Sequence, residues 1–92
     1  MTTIYIPTPL RKYSGDQKSV QVEAETVKDA VDSLLQTYPA LSKHLLDAKG
    51  SLRSFINLYV GDEDIRSLDG LDTELEADAE LSIIPSIAGG IA

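Results

Sequence analysis

The chain has no cysteine and no tryptophan, and only one histidine, one methionine and one phenylalanine. The missing thiols exclude disulfides, thiolate metal sites, and a cysteine nucleophile or persulfide of its own. With His44 as the single imidazole, histidine-based metal sites and histidine-centred catalysis are poorly supplied. No apolar run approaches the roughly 18 residues that a membrane span needs, and no basic stretch followed by an apolar one opens the chain. A cytoplasmic location is expected. Basic residues are also few, eight Lys and Arg against fifteen Asp and Glu, for a formal net charge of −7. The shortage is uneven. Residues 1–60 hold seven bases and six acids, whereas residues 61–92 hold nine acids and a single base, Arg66. Such an acidic chain repels phosphate backbones and anionic lipid surfaces, so neither nucleic acid nor membrane is expected as a partner. An acidic face that steers docking onto a basic protein and a solvated acidic surface both fit this pattern.

What is present is enough for one small domain of 92 residues, with 42% hydrophobic and 25% charged side chains. Thr3-Ile4-Tyr5-Ile6 alternates and ends at Pro7, which reads as a first strand with Ile4 and Ile6 inward. Ser14-Gly15-Asp16 is a turn signal, and Ser19 to Glu23 alternates again with Val20 and Val22 inward. Thr26 is placed as a helix N-cap with Asp29 three residues on. Val27, Ala30, Val31, Leu34 and Leu35 then recur at helical spacing until Pro39. Leu41, Leu45 and Leu46 suggest a short second helix, and Gly50 a break. Phe55 to Val60 reads as a central strand, Gly61 to Asp64 as a turn, and Ile65-Arg66 as a short returning strand. Residues 67–79 read as an irregular acidic loop pinned by Leu68, Leu71 and Leu75. Leu81 to Ile84 is the last strand, closed by Pro85. The expected fold is α+β, one main helix on one face of a mixed four- to five-stranded sheet. Pairing of the first strand with the last would make it a β-grasp.

Candidate chemistry is sparse. Asp62-Glu63-Asp64 lacks the spacing of a calcium loop and reads as a turn, and no metal site is expected. His44 beside Leu45 and Leu46 reads as a helix-end residue rather than a base. There is no phosphate-cradling glycine loop and no Ser-His pairing with spacing logic, so an active site of its own is not expected. The tail is the remaining feature. Residues 1–85 form the expected domain, and residues 86–92 an uncharged, flexible C-terminal tail carrying Gly89-Gly90. Glycines let a backbone thread a channel that a Cβ atom would block.

Three segments together carry a resemblance. They are Pro85-Ser86-Ile87-Ala88-Gly89-Gly90, Ile56 through Arg66, and Gly15-Asp16-Gln17-Lys18-Ser19-Val20. With them the chain resembles the ThiS/MoaD family of ubiquitin-like sulfur carriers over nearly its whole length. Within that family the likeness is greatest to the carriers that serve cysteine biosynthesis. The resemblance implies a β-grasp fold and a protein co-substrate rather than an enzyme. It implies that the Gly90 carboxylate is adenylated by an E1-like enzyme using ATP and then converted to a thiocarboxylate. It also implies a sulfur-accepting synthase as a partner, with pyridoxal phosphate possible in that enzyme and no cofactor on the carrier. Ile87, Ala88 and Gly89 would thread the partner's channel. Ile91 and Ala92 follow the glycines, so Gly90 has no free carboxylate as the chain is written. Cleavage between Gly90 and Ile91 by a JAMM-type metalloprotease is therefore expected. Tyr59 and Ile84 are the expected docking residues, on the sheet face away from the helix. Two alternatives are a ubiquitin-like protein modifier and an unprocessed β-grasp interaction module.

Overall fold

Alternating side chains build the first hairpin. In the computed structural model, which describes residues 1–85, β1 runs Thr2–Tyr5 and pairs antiparallel with β2, Ser19–Val22, setting Ile4 opposite Val20. Their connection is ordered. Pro9 opens a 3-10 helix, Thr8–Tyr13, that drives Leu10 into the core. Proline presets the backbone angle of a first helical turn and lacks only an N–H that would be unpaired there anyway. Gly15 and Asp16 follow at φ 65° and 63°, a left-handed pair that reverses the chain over the fully buried Ser14.

The helix forms where periodicity placed it. α1 spans Val27–Thr37, and the Thr26 hydroxyl accepts a hydrogen bond from the Asp29 N–H at 3.2 Å. Val27, Ala30, Val31 and Leu34 are its buried stripe. A 3-10 turn at Pro39–Leu41 leads into the four-residue α2, Ser42–Leu45, whose Leu45 is also buried. The bridge between Leu46 and Leu52 then closes a small loop around Gly50.

β3 spans Ile56–Val60, β4 spans Glu63–Asp64, and β5 spans Glu80–Pro85. The sheet order is β2-β1-β5-β3-β4, with β1 and β5 parallel and the other pairs antiparallel. One helix laid across a five-stranded mixed sheet whose first and last strands run side by side is the β-grasp arrangement. Ile4, Ile56, Leu58, Leu81 and Ile83 face the α1 stripe and complete the core.

Four readings of the sequence are corrected. β5 is the central strand, and β3 lies between it and the short edge strand β4. Phe55 precedes β3 instead of opening it, and packs half-buried against the core. The returning strand is Glu63–Asp64, not Ile65-Arg66. Gly61 at φ 61° turns the hairpin with Asp62 alone, and the Asp64 carboxylate accepts from the Arg66 N–H at 2.9 Å, which starts a 3-10 turn at Ile65–Ser67. Leu68 is not a pin. It is 37% exposed, while Thr73 is buried in that loop and its hydroxyl accepts from the Asp69 N–H at 3.0 Å. A second 3-10 turn at Gly70–Asp72 rotates Leu71 inward and leaves Leu68 out. Backbone bonds from Val27 N–H to Thr73 O at 3.0 Å and from Leu75 N–H to Glu25 O at 2.8 Å tie this acidic loop to the start of α1.

Candidate functional site

The uncovered face of the sheet is set by strand alternation. Since Ile4, Leu58, Leu81 and Ile83 point toward α1, their neighbours Tyr5, Asn57, Tyr59, Ser82 and Ile84 point away. The register aligns Tyr5 with Ser82, Ser82 with Tyr59, and Tyr59 with Asp64, one row across four strands. The next row toward the end of β5 pairs Ile84 with Asn57. Both expected docking residues therefore stand on this face, one row apart on neighbouring strands. Ile84 is 46% exposed, unusual for a large aliphatic side chain in a central strand, and Tyr59 is half-buried.

Polar side chains frame the patch. The Arg66 guanidinium donates to the Asn57 side-chain oxygen and to the Ile56 carbonyl at 3.4 Å, and stands 4.0 Å from Asp64. On the other side the Tyr5 hydroxyl, in a side chain 42% exposed, donates to the Glu80 carboxylate at 3.2 Å. That hydrogen bond first, and then the negative charge of Glu80, hold the Tyr5 phenol above the usual tyrosine range. Tyr5 was missed as a member of this face. The signal was available, because a residue between inward Ile4 and inward Ile6 must point outward.

The remaining site residues named from sequence, Ile87, Ala88, Gly89, Gly90 and Ile91, lie outside the described residues. The domain does fix where the tail begins. Pro85 ends β5 opposite Ile56, the first residue of β3, one position beyond the Ile84–Asn57 row. A segment leaving Pro85 thus starts at the same end of the sheet as the Ile84 patch.

His44 is a packing residue. Its ring stacks on Tyr13 with centroids 4.1 Å apart and planes at 26°. Of the acidic triplet, Glu63 and Asp64 are paired in β4, and Asp64 is occupied with Arg66. Among the described residues no cluster of three potential metal ligands occurs, and no helix is long and apolar enough to cross a membrane.

A β-grasp domain with a half-apolar open sheet face, and a Gly-Gly dipeptide in the sequence that follows its last strand, is the build of ubiquitin-like proteins. The chain belongs to the ThiS family, whose model matches residues 4–90, including both tail glycines. It is 39% identical over 90 residues to the sulfur carrier protein CysO of Mycobacterium tuberculosis, covering 96% of this chain and 97% of that one. Among solved structures it superposes on the CysO found in the Amycolatopsis orientalis BexX/CysO complex with a TM-score of 0.88 and 37% identity, covering 98% of this chain and all of that one. It also matches a small archaeal modifier protein of Methanosarcina acetivorans with a TM-score of 0.84 and 30% identity, covering 97% and 95% of the two chains.

Proposed function

We propose that the protein is a sulfur carrier whose working end is Gly90. The observation that carries this reading is the family match through Gly90 on a domain whose last strand delivers the tail beside an exposed apolar patch. A carboxylate is a poor electrophile. Adenylation by an E1-like enzyme consumes ATP, releases pyrophosphate and leaves AMP as a good leaving group. Sulfide-level sulfur then attacks the acyl carbon and displaces AMP, leaving the thiocarboxylate. The carrier contributes docking and positioning, and the ATP chemistry belongs to the enzyme. Likeness to CysO favours cysteine or a related amino acid as the destination of the sulfur, through a synthase that could use pyridoxal phosphate. The work is done in the cytoplasm, by a co-substrate without catalytic residues of its own.

Gly90 is amide-bonded to Ile91 in the written chain, and on this reading the 92-residue form is the precursor. A JAMM-type metalloprotease that cuts after Gly90 would free the carboxylate. Ile87, Ala88 and Gly89 then thread the partner's channel, where small side chains and glycine flexibility matter most. A second reading, conjugation of Gly90 to lysines of other proteins, is favoured by the likeness to the archaeal modifier.

Trapping the adenylate tests the carrier reading. With the adenylating enzyme, ATP and hydroxylamine, protein ending at Gly90 should form a terminal hydroxamate and the 92-residue form should not. No hydroxamate on the Gly90-ended protein would contradict the reading.

A further inference from the structure

The end of the sheet where the tail begins is basic, in a chain that is otherwise acidic. β1 ends there, β3 begins there and β5 ends there. Arg11 donates to the Ile6 carbonyl at 3.0 Å, and Arg66 reaches the Ile56 carbonyl. Lys12 sits over the Tyr13 ring at 5.2 Å, and Tyr13 in turn stacks on His44. Arg53 donates to the Lys43 carbonyl at 3.0 Å and lies over the Phe55 ring at 6.0 Å. At the opposite end stand Glu23, Glu25, Asp62, Glu74, Glu76 and Asp78. Charge is therefore also uneven in space: cations gather in a pole around Pro85, with Asp16 and Asp64 as the acids beside Arg11 and Arg66.

That pole contains a groove. A hollow of about 470 Å³ is lined by Leu10, Phe55, Ile56 and Pro85, with Lys43, His44 and Arg53 among its other walls. Among the described residues neither Lys43 nor Arg53 has a carboxylate within 4.0 Å. The nearest acid in sequence, Asp47, is engaged by the Lys49 and Ser51 N–H groups at 2.8 and 3.1 Å. An apolar floor flanked by unpaired cations complements an apolar side chain flanked by carboxylates.

We infer that this groove receives an acidic segment of the protein that takes the tail: an apolar anchor with Asp or Glu on either side, set beside the mouth of that partner's tail channel. The inference rests on the carrier reading and adds to it a second contact, separate from the Ile84 face. Pro85, where the tail begins, is itself a wall of the groove, so a partner that takes the tail approaches the domain at this groove. The cations steer approach, and the floor holds the root while the tail threads.

The test is ATP–pyrophosphate exchange by the adenylating enzyme as carrier concentration is varied. It uses the processed carrier as its cells produce it and the variants Lys43→Glu, Arg53→Glu and the double variant. Lys28→Glu, an exposed cation on α1, is the control. The double variant should need about tenfold more carrier for half-maximal rate at low salt, with the maximal rate unchanged and the gap closing as salt rises. Lys28→Glu should behave as wild type. Lys43→Glu alone keeps the test valid if loss of the Arg53 hydrogen bond disturbs folding, which circular dichroism would report. Equal half-saturation for wild type and Lys43→Glu overturns the groove while leaving the carrier reading intact. No exchange with wild type overturns both. A nuclear Overhauser contact between the Ile87 methyls and the Phe55 ring in the free full-length chain would assign the groove to the protein's own tail, and would also overturn the inference.

Discussion

Ile84 stands opposite Asn57 across the β3–β5 ladder, on the sheet face away from α1, and Asn57 is held in place by the Arg66 guanidinium. The pairing puts an exposed aliphatic side chain beside a fixed polar one, one residue before the strand ends at Pro85. In the proposed docking role, an anchor at that place would locate a partner relative to the tail.

Ile84→Asp should weaken binding to the adenylating enzyme by about 30-fold or more, the scale of a buried anchor at an interface. The fold should survive, since the side chain already contacts water. Calorimetric titration with the enzyme checks the first expectation and thermal melting the second. Unchanged affinity would remove Ile84 from the interface.

Thr26→Ala removes the side-chain acceptor for the Asp29 N–H at the start of α1. The expected cost is about 1 kcal/mol, read as a lower urea midpoint at unchanged slope. A neutral result would mean that the bonds from Val27 and Leu75 to the neighbouring loop hold the helix start without the cap.

The Thr2 side chain is 1% exposed, and its hydroxyl oxygen has no hydrogen-bond partner among the described residues. Thr2→Val keeps the shape and removes the unsatisfied group. It should stabilise the protein by about 1 kcal/mol, seen as a rise in melting temperature of several degrees. A fall would mean that the hydroxyl is satisfied by a buried water.

Tyr5 should ionise above the ordinary tyrosine value of about 10, because its neutral hydroxyl donates to Glu80. A folded-state pKa raised above the unfolded one gives stability that is present at lower pH and lost as pH rises through the folded value. Ultraviolet titration should therefore show one tyrosine moving toward the ordinary value in Glu80→Gln. Unchanged titration would show that the hydrogen bond is not formed in solution.

Much of this was legible from residue spacing. Alternation at Ile4 and Ile6 and at Leu81 and Ile83, and helical spacing from Val27 to Leu34, are driven by burial on one face. Burial on one face repeats with the period of the element. The departures occur where local hydrogen bonding overrides that period. Asp64 capping Arg66 moves the short strand back to Glu63, and the 3-10 turn at Gly70–Asp72 exchanges Leu68 for Thr73. The basic pole was not legible at all. Lys43 and Arg53 are joined by the loop that closes at the Leu46–Leu52 bridge, where Arg53 bonds the Lys43 carbonyl, and Arg66 is brought to the same end of the sheet by its bonds to Ile56 and Asn57. Sequence charge counts saw only an acidic C-terminal third. The face on which Tyr59 and Ile84 stand could be named in advance because alternation is a local signal, whereas the tail glycines lie outside the described residues.

The most direct measurement is the intact mass of untagged protein purified from its own cells. A processed carrier gives a species lacking Ile91 and Ala92, together with a second species heavier by the difference between one sulfur and one oxygen atom. Only the 92-residue mass, under conditions in which sulfur is being assimilated, would contradict the role assigned to Gly90.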